Sequence, residues 1–415
     1  MRSIPLRELP PADAASPEVD VFGGRPMGIA HVVRETCWGG MEARTIETAQ
    51  WQAASGHRVI VVTPEHGRTF AEAERRGLRA VHIDFDGPDK LGNLRAMRRT
   101  IRGHGIDVAD VHTNRSLAIA IKGMCALVRS QHNLKKKPPR GLRLNREFPF
   151  EHFITTSHAA RERLSAGGQV RAARISVVGE WAAERFFAPT ASYDEAMRRR
   201  AGLDIVDFEH VIGACAMLRD DNAFDDLIRA TALLRGRGLD VACLIAGGPA
   251  LTGAGPCAQE AELRALARDL GVAEAVKFLG HRCDVPELFD AMDVATVVSR
   301  HTAQTRVAPE AAARGRPVVG FAVGALPEAV RPGDTGALAA PGDIYGFTRE
   351  IERLLRDRRE RERLSANAAA FARRDFRQAP KMEQTLAAYR RVLARPEPGR
   401  APAPDLHPAL RAVGG

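Results

Sequence analysis

Between Val276 and Gly342 two β-branched stretches, VATVV and RPVVGF, flank the helical stretch PEAAARG. Strand, helix and strand in that order predict two parallel neighbours in one sheet joined by a crossover helix. Open parallel sheets hold ligands beyond the carboxyl ends of their strands, beside helix N-termini whose free N–H groups attract anions. Glu310, Gly320, Gly324 and Glu328 fall on that edge, so the segment outlines a ligand cleft with one acid, Glu310, at the start of a helix.

The same alternation runs through most of the chain. MGIAHVVR reads as a buried strand; a glycine turn, an amphipathic helix and a second strand near Arg58 follow it, making a Rossmann-type βαβ unit. Further units follow, including a helix through Leu117 to Met124 and the strand ALVRSQHN. At 415 residues the chain is too long for one ordinary core, so two domains are expected. The predicted class is α/β, with two Rossmann-like doubly wound domains facing a central cleft. The expected division is a Pro- and Ala-rich leader over 1–25, a first domain over 26–205, a second over 206–375, a closing helix over 376–395 and a tail over 396–415. The helical, charged run SYDEAMRRRAGL reads as the linker between the domains.

Composition narrows the function classes. No apolar run approaches the ~18 residues a membrane span needs, and MRSIPLRELPPADAASPEVD lacks the apolar core of a signal peptide, so a cytoplasmic protein is expected. Six scattered cysteines show no C-x-x-C spacing, which argues against a structural zinc and against a disulfide framework. Most of them read as buried small hydrophobes. The acids are dispersed, with no D-x-D at a strand end, so no metal site is expected. A net charge of +10 points to acidic partners. Part of it is concentrated in Lys135, Lys136, Lys137, Arg140, Arg143 and Arg146, which reads either as a solvated loop or as a dock for an anionic membrane surface over residues 135–146. Only 5% of the residues are aromatic and the basic run has little to stack bases on, which disfavours nucleic acid.

The segment from Val276 closely resembles the donor-sugar signature of glycosyltransferase family four. Asp293, Ser299, Glu310, Ala311, Ala313, Gly315, Pro317, Val318, Val319, Gly324, Glu328, Gly333, Gly336, Leu338 and Pro341 to Asp343 match it in order. The resemblance extends from about Gly28 to Arg390. It implies a GT-B architecture and a retaining, metal-independent transferase that moves a sugar from a nucleotide diphosphate sugar to a hydroxyl of a glycan or lipid-linked saccharide. Lipopolysaccharide core or exopolysaccharide assembly at the inner membrane face would suit the basic run. No cofactor is implied beyond the nucleotide sugar, which is a co-substrate.

Carried over residue by residue, the resemblance places Glu310 on the donor ribose. Gly39 and Gly40 fall in the loop that approaches the donor diphosphate or the acceptor, and Gly247 and Gly248 in the turn near the base. It makes His132 a partner of the transferred sugar and Arg219 a partner of the diphosphate. Asn222, Arg282 and Arg306 complete the expected donor site, while Trp38, Glu42 and Asn114 are assigned to the acceptor. The chain departs from the pattern at Asn222 and Ala223, where Lys and Gly are expected, and at Thr302, where the first glutamate of a pair belongs. Asn222 also reads as a helix cap, and Arg306 as a compensating cation. Two alternatives stay open: a silent homologue acting as a nucleotide- or glycan-binding partner subunit, and a nucleotide-sugar epimerase on the same scaffold.

Overall fold

A computed structural model of the protein describes residues 26–36, 38–113, 115–132, 148–166, 170–219, 221–248, 258–300 and 306–394. The first half alternates β1 (Gly28–Val32), α1 (Gly40–Ala54), β2 (Arg58–Thr63), α2 (Arg68–Arg75), β3 (Arg79–His82), α3 (Lys90–Gly103), β4 (Val108–Val111), α4 (Arg115–Ala120), β5 (Ala126–Gln131), β6 (His152–Thr155), α5 (His158–Ser165) and β7 (Ile175–Val177). Their seven strands form one parallel sheet in the order β3-β2-β1-β4-β5-β6-β7. Every residue of β1, β4 and β6 is buried, as expected of strands covered by helices on both faces.

The second half opens with α6 (Tyr193–Gly202) and continues through β8 (His210–Cys215), α7 (Phe224–Gly236), β9 (Val241–Ala246), α8 (Ala258–Asp269), β10 (Val276–Gly280), α9 (Val285–Ala291), β11 (Val294–Val297), α10 (Val307–Ala313), β12 (Val318–Phe321), α11 (Leu326–Ala329), β13 (Gly336–Ala339), α12 (Ile344–Arg356) and α13 (Arg358–Asp375). Its parallel sheet has the order β10-β9-β8-β11-β12-β13. The last helix, α14 (Gln378–Leu393), lies against β5 and β6 and buries Leu386, Tyr389 and Val392 beside Ile29, Val61 and Val128 of the first sheet. Strand order reverses between β1 and β4 in one sheet and between β8 and β11 in the other. Those two switch points are where an open α/β sheet leaves a crevice for ligand.

One local expectation changes. The helix expected through Met124 ends at Ala120, and Gly123, at a φ of +77, takes a backbone turn that ordinary L-residues rarely adopt. The helical run SYDEAMRRRAGL forms α6, capped by Ser192 and fastened to the second half. Arg199 pairs with the buried Asp290, and Arg200 donates to Asp293 at 2.9 Å and to the Ala291 carbonyl at 3.0 Å.

Candidate functional site

The loop after β1 delivers the Gly39–Gly40 turn to the first switch point. Gly39 is the N-cap of α1, and its N–H donates to Glu42 Oε2 at 2.9 Å, the half of a capping box that an N-cap glycine allows. Glu42 is therefore buried and committed to holding the turn. A Cβ on Gly39 would sit 3.1 Å from the Met217 sulfur, and one on Gly40 would sit 3.9 Å from Arg306 Cδ. The turn thus touches the second half of the chain at two points. Trp38 is half-buried against the first core, with the Arg68 guanidinium 6.0 Å from its ring. Asn114, Thr302 and the basic run 135–146 lie outside the described residues.

Facing that turn, Arg306 at the head of α10 joins the two halves. Its Nη2 donates to Glu47 Oε1 of α1 at 2.8 Å and its Nε to Glu310 Oε1 at 2.7 Å. Both carboxylates are buried. Burial pulls each of them towards the protonated form. At Glu47 the Arg306 charge overcomes that pull and holds the carboxyl below its ordinary range. At Glu310 burial wins, aided by repulsion from Glu47, and its pKa is raised. One guanidinium is shared by two acids, and Glu310 is the one whose charged form is disfavoured. A second fastening lies further along the cleft, where Glu328 of α11 accepts from the His158 and Ala159 N–H groups at 2.8 and 2.9 Å, capping α5.

The residues expected at the diphosphate and base spread along the carboxyl ends of β8, β9 and β10. Arg219 is exposed and paired loosely with Asp221 at 3.3 Å. Asn222 does not cap α7: Ala223 holds the N-cap position, and the Asn222 amide instead donates to the Met217 carbonyl at 2.8 Å. Gly247 has a φ of +158, and a Cβ there would lie 1.7 Å from the Ala216 carbonyl oxygen, so only glycine fits. Gly248 accepts from the Leu218 N–H at 3.0 Å, tying the strand-end loops together. Arg282 forms a forked pair with Asp284 at 2.8 and 2.5 Å at the start of α9. Of the four described cysteines, Cys125, Cys215 and Cys243 are buried and Cys283 is exposed.

Motif reasoning missed the polar interior behind His132. Its Nε2 lies 2.8 Å from His112 Nδ1, His112 Nε2 lies 3.0 Å from His31 Nδ1, and His31 Nε2 lies 2.8 Å from Gln52 Oε1. Asp110 beneath them accepts from Ser130 N–H at 3.1 Å, Ser130 Oγ at 2.9 Å and the Tyr389 hydroxyl at 2.6 Å. Burial lowers the pKa of His31, that of His112 to about 3, and that of His132 well below 6.5. His31, Asp110 and His112 also bring three ligand-type atoms within 4.8 Å of one another, a grouping that spacing along the chain did not reveal. Hydrogen bonds already occupy the facing nitrogens of His31 and His112. Arg44, also missed, pairs with Glu180 and stacks 3.7 Å over the Trp181 ring. A cavity of about 20 Å³, room for a single water, lies among Arg44, Asp110, Ser130 and His132.

Two parallel α/β sheets meeting at their switch points, with the chain's last helix returned to the first, define a protein of GT-B architecture. Residues 38–180 match the family model described as Glycosyltransferase Family 4, and residues 209–357 match the one described as Glycosyl transferases group 1. The chain belongs to glycosyltransferase family 4. It is 32% identical over 243 residues to a D-inositol 3-phosphate glycosyltransferase of Mycobacterium marinum, a match covering 58% of this chain and 50% of the relative. The chain thus spans about half the length of the curated relatives it matches. Among solved structures, a glycosyltransferase from Rickettsia africae superposes with a TM-score of 0.78 at 15% identity, covering 89% of this chain and all of that one. Anabaena HepE in complex with UDP-glucose gives 0.75 at 22% identity, covering 87% and 100%. At these identities the likeness is one of fold. Among the described residues, no helix is long and apolar enough to cross a membrane.

Proposed function

We propose that the protein transfers a sugar, with retention, from a nucleotide diphosphate sugar held by the second sheet to a hydroxyl held at the first. The observation that carries this reading is the approach of Arg306, paired with Glu310, to the Gly39–Gly40 turn, across the cleft between the two switch points. Glu310 suits a pair of ribose hydroxyls, because a buried, electrostatically strained carboxylate gains most from two hydrogen-bond donors. For the diphosphate, Arg219 is the first partner: its exposed pair with Asp221 costs about 0–1 kcal/mol to give up. Arg306 is second, since releasing it from buried carboxylates costs several times more. Asn222, fastened to a backbone carbonyl, brings no charge, and a missing ionic contact is worth about 1.5–3 kcal/mol.

In this reading the first domain extends to about residue 205 and the second to about 375. The acceptor is a polar hydroxyl compound, and two classes are in view: a glycan or lipid-linked saccharide of the cell envelope, as the sequence suggests, and a phosphorylated polyol like that in the name of the mycobacterial relative. Calorimetry with UDP, GDP, ADP and TDP, with and without Mg2+, tests the donor half. One nucleotide should bind without metal, and Glu310→Ala should weaken it about tenfold or more, the equivalent of ~1.4 kcal/mol. Binding of none at about millimolar concentration would overturn the donor site. Turnover with the matching sugar nucleotide then decides the activity: a glycoside supports transfer, an isomerised nucleotide identifies an epimerase, and binding without any turnover favours the partner-subunit reading.

A further inference from the structure

The three imidazoles form a single file, and each link in it needs one proton. A neutral file can therefore run in only two directions. In one, every ring carries its proton on Nε2; in the other, every ring carries it on Nδ1. Two groups at the inner end select the first. Gln52 presents Oε1 to His31 Nε2, which must then be N–H. Asp110 Oδ2 lies 3.9 Å from His112 Nε2, and with three donors converging on it this carboxylate serves as an acceptor, favouring a proton on the facing nitrogen. His112 then donates from Nε2 to His31, and His132 donates from Nε2 to His112. That leaves His132 Nδ1 with a bare lone pair and no partner among the described residues.

We infer that Gln52 and Asp110, acting through His31 and His112, set the tautomer of His132 so that its Nδ1 accepts a hydrogen bond from an O–H group. Gln52, Asp110, His31 and His112 are positioning residues; His132 alone meets the donor. That donor is either a sugar hydroxyl, in which case the inference rests on the transfer reading above, or a water in the adjoining cavity of about 20 Å³. The file is kept neutral by its burial. Arg44 of α1 and Arg129 of β5 oppose its protonation, Asp110 of β4 favours it, and Tyr389 of α14 faces Asp110 as a protonated hydroxyl.

The test is long-range proton–nitrogen correlation NMR on the full chain labelled with nitrogen-15 in histidine. His31, His112 and His132 should each show a protonated Nε2 and an unprotonated Nδ1, unchanged from about pH 8 to about pH 5.5. In Gln52→Leu the Nδ1–H form should gain population at His132 as well as at His31. Nδ1–H at His132 in the unsubstituted protein would overturn the inference, and so would a charged His132 at about pH 5.5 or a Gln52→Leu change confined to His31. The unsubstituted spectrum decides the tautomer even if Gln52→Leu fails to fold. Saturation with UDP-glucose separates the two donors: movement of the His132 Nδ1 resonance identifies a ligand hydroxyl, and an unmoved resonance identifies the cavity water. Failure of UDP-glucose to bind, seen by calorimetry, bears on the transfer reading and leaves the ligand-free result intact.

Discussion

The histidine file should make the first domain sensitive to mild acid before most carboxylates titrate. His112, nearly inaccessible to solvent, has its pKa depressed from 6.5 to about 3, first by burial and then by neighbouring positive charge, which Asp110 only partly offsets. A depressed imidazole contributes stability that is present above about 6.5 and is withdrawn as pH falls towards its folded value. Between about pH 7 and about pH 5, His112 alone should withdraw about 2 kcal/mol, and full protonation would cost about 5 kcal/mol. His31 and His132 act in the same direction. Glu310 acts in the opposite one, since its raised pKa gives stability that is fully present below 4.5 and lost as pH rises through its folded value. Comparing the protein with His112→Phe cancels the Glu310 contribution. Urea unfolding followed by tryptophan fluorescence suits the question, because Trp38, Trp51 and Trp181 all precede the second sheet. The variant should be weaker at about pH 7, having lost two buried hydrogen bonds, yet its stability should fall about 2 kcal/mol less by about pH 5. Equal slopes for the two proteins would refute the reasoning.

Other substitutions probe the contacts around the cleft. Arg306→Met strands Glu47 and Glu310 in a buried setting, so chemical unfolding should show a loss of about 3–5 kcal/mol, recovered in part as pH falls and the two acids protonate. Glu328→Ala removes the two hydrogen bonds that one half of the molecule makes to the first turn of α5 in the other, leaving the Ser157 cap, and should lower stability in thermal melts by about 0.5–2 kcal/mol. Tyr389→Phe takes a donor at 2.6 Å from buried Asp110 and should cost about 1–3 kcal/mol in urea, with the first-domain fluorescence transition moving most.

What the sequence disclosed and what it hid follow from the distance over which each contact forms. β11, α10 and β12 lie close together in the chain, so strand, helix, Glu310 and the following glycines could be placed by periodicity alone. The partners of those residues could not. Arg306 reaches Glu47 across 259 positions, and no motif along the chain couples α1 to α10. Asn222 looked like a cap because an Asn just before a helix usually is one. The Met217 carbonyl, five residues back, captures its amide instead, and Ala223 takes the cap position. The apolar pattern around Gly123 is helical, yet the helix stops at Ala120 and Gly123 takes a left-handed conformation in the turn that follows.

The histidine file is a different case, since a signal for it did exist. Asp110-Val111-His112 runs one residue past the end of β4 and Ser130-Gln131-His132 one past the end of β5, so an Asp-x-His and a Ser-x-His stand at the ends of consecutive strands. Side chains alternate across a strand with a period of two, so each pair points to one face of the sheet. Two such pairs on adjacent parallel strands bring four polar groups together at the carboxyl edge, where Ser130 indeed reaches Asp110. What the chain alone could not supply is the strand that completes the cluster. β1 lies next to β4 only because strand order reverses there, and that reversal sets His31 opposite Asp110 in the register. The switch point that opens a crevice for ligand is thus also what lets a third imidazole, and Gln52 behind it, join the chain leading to His132.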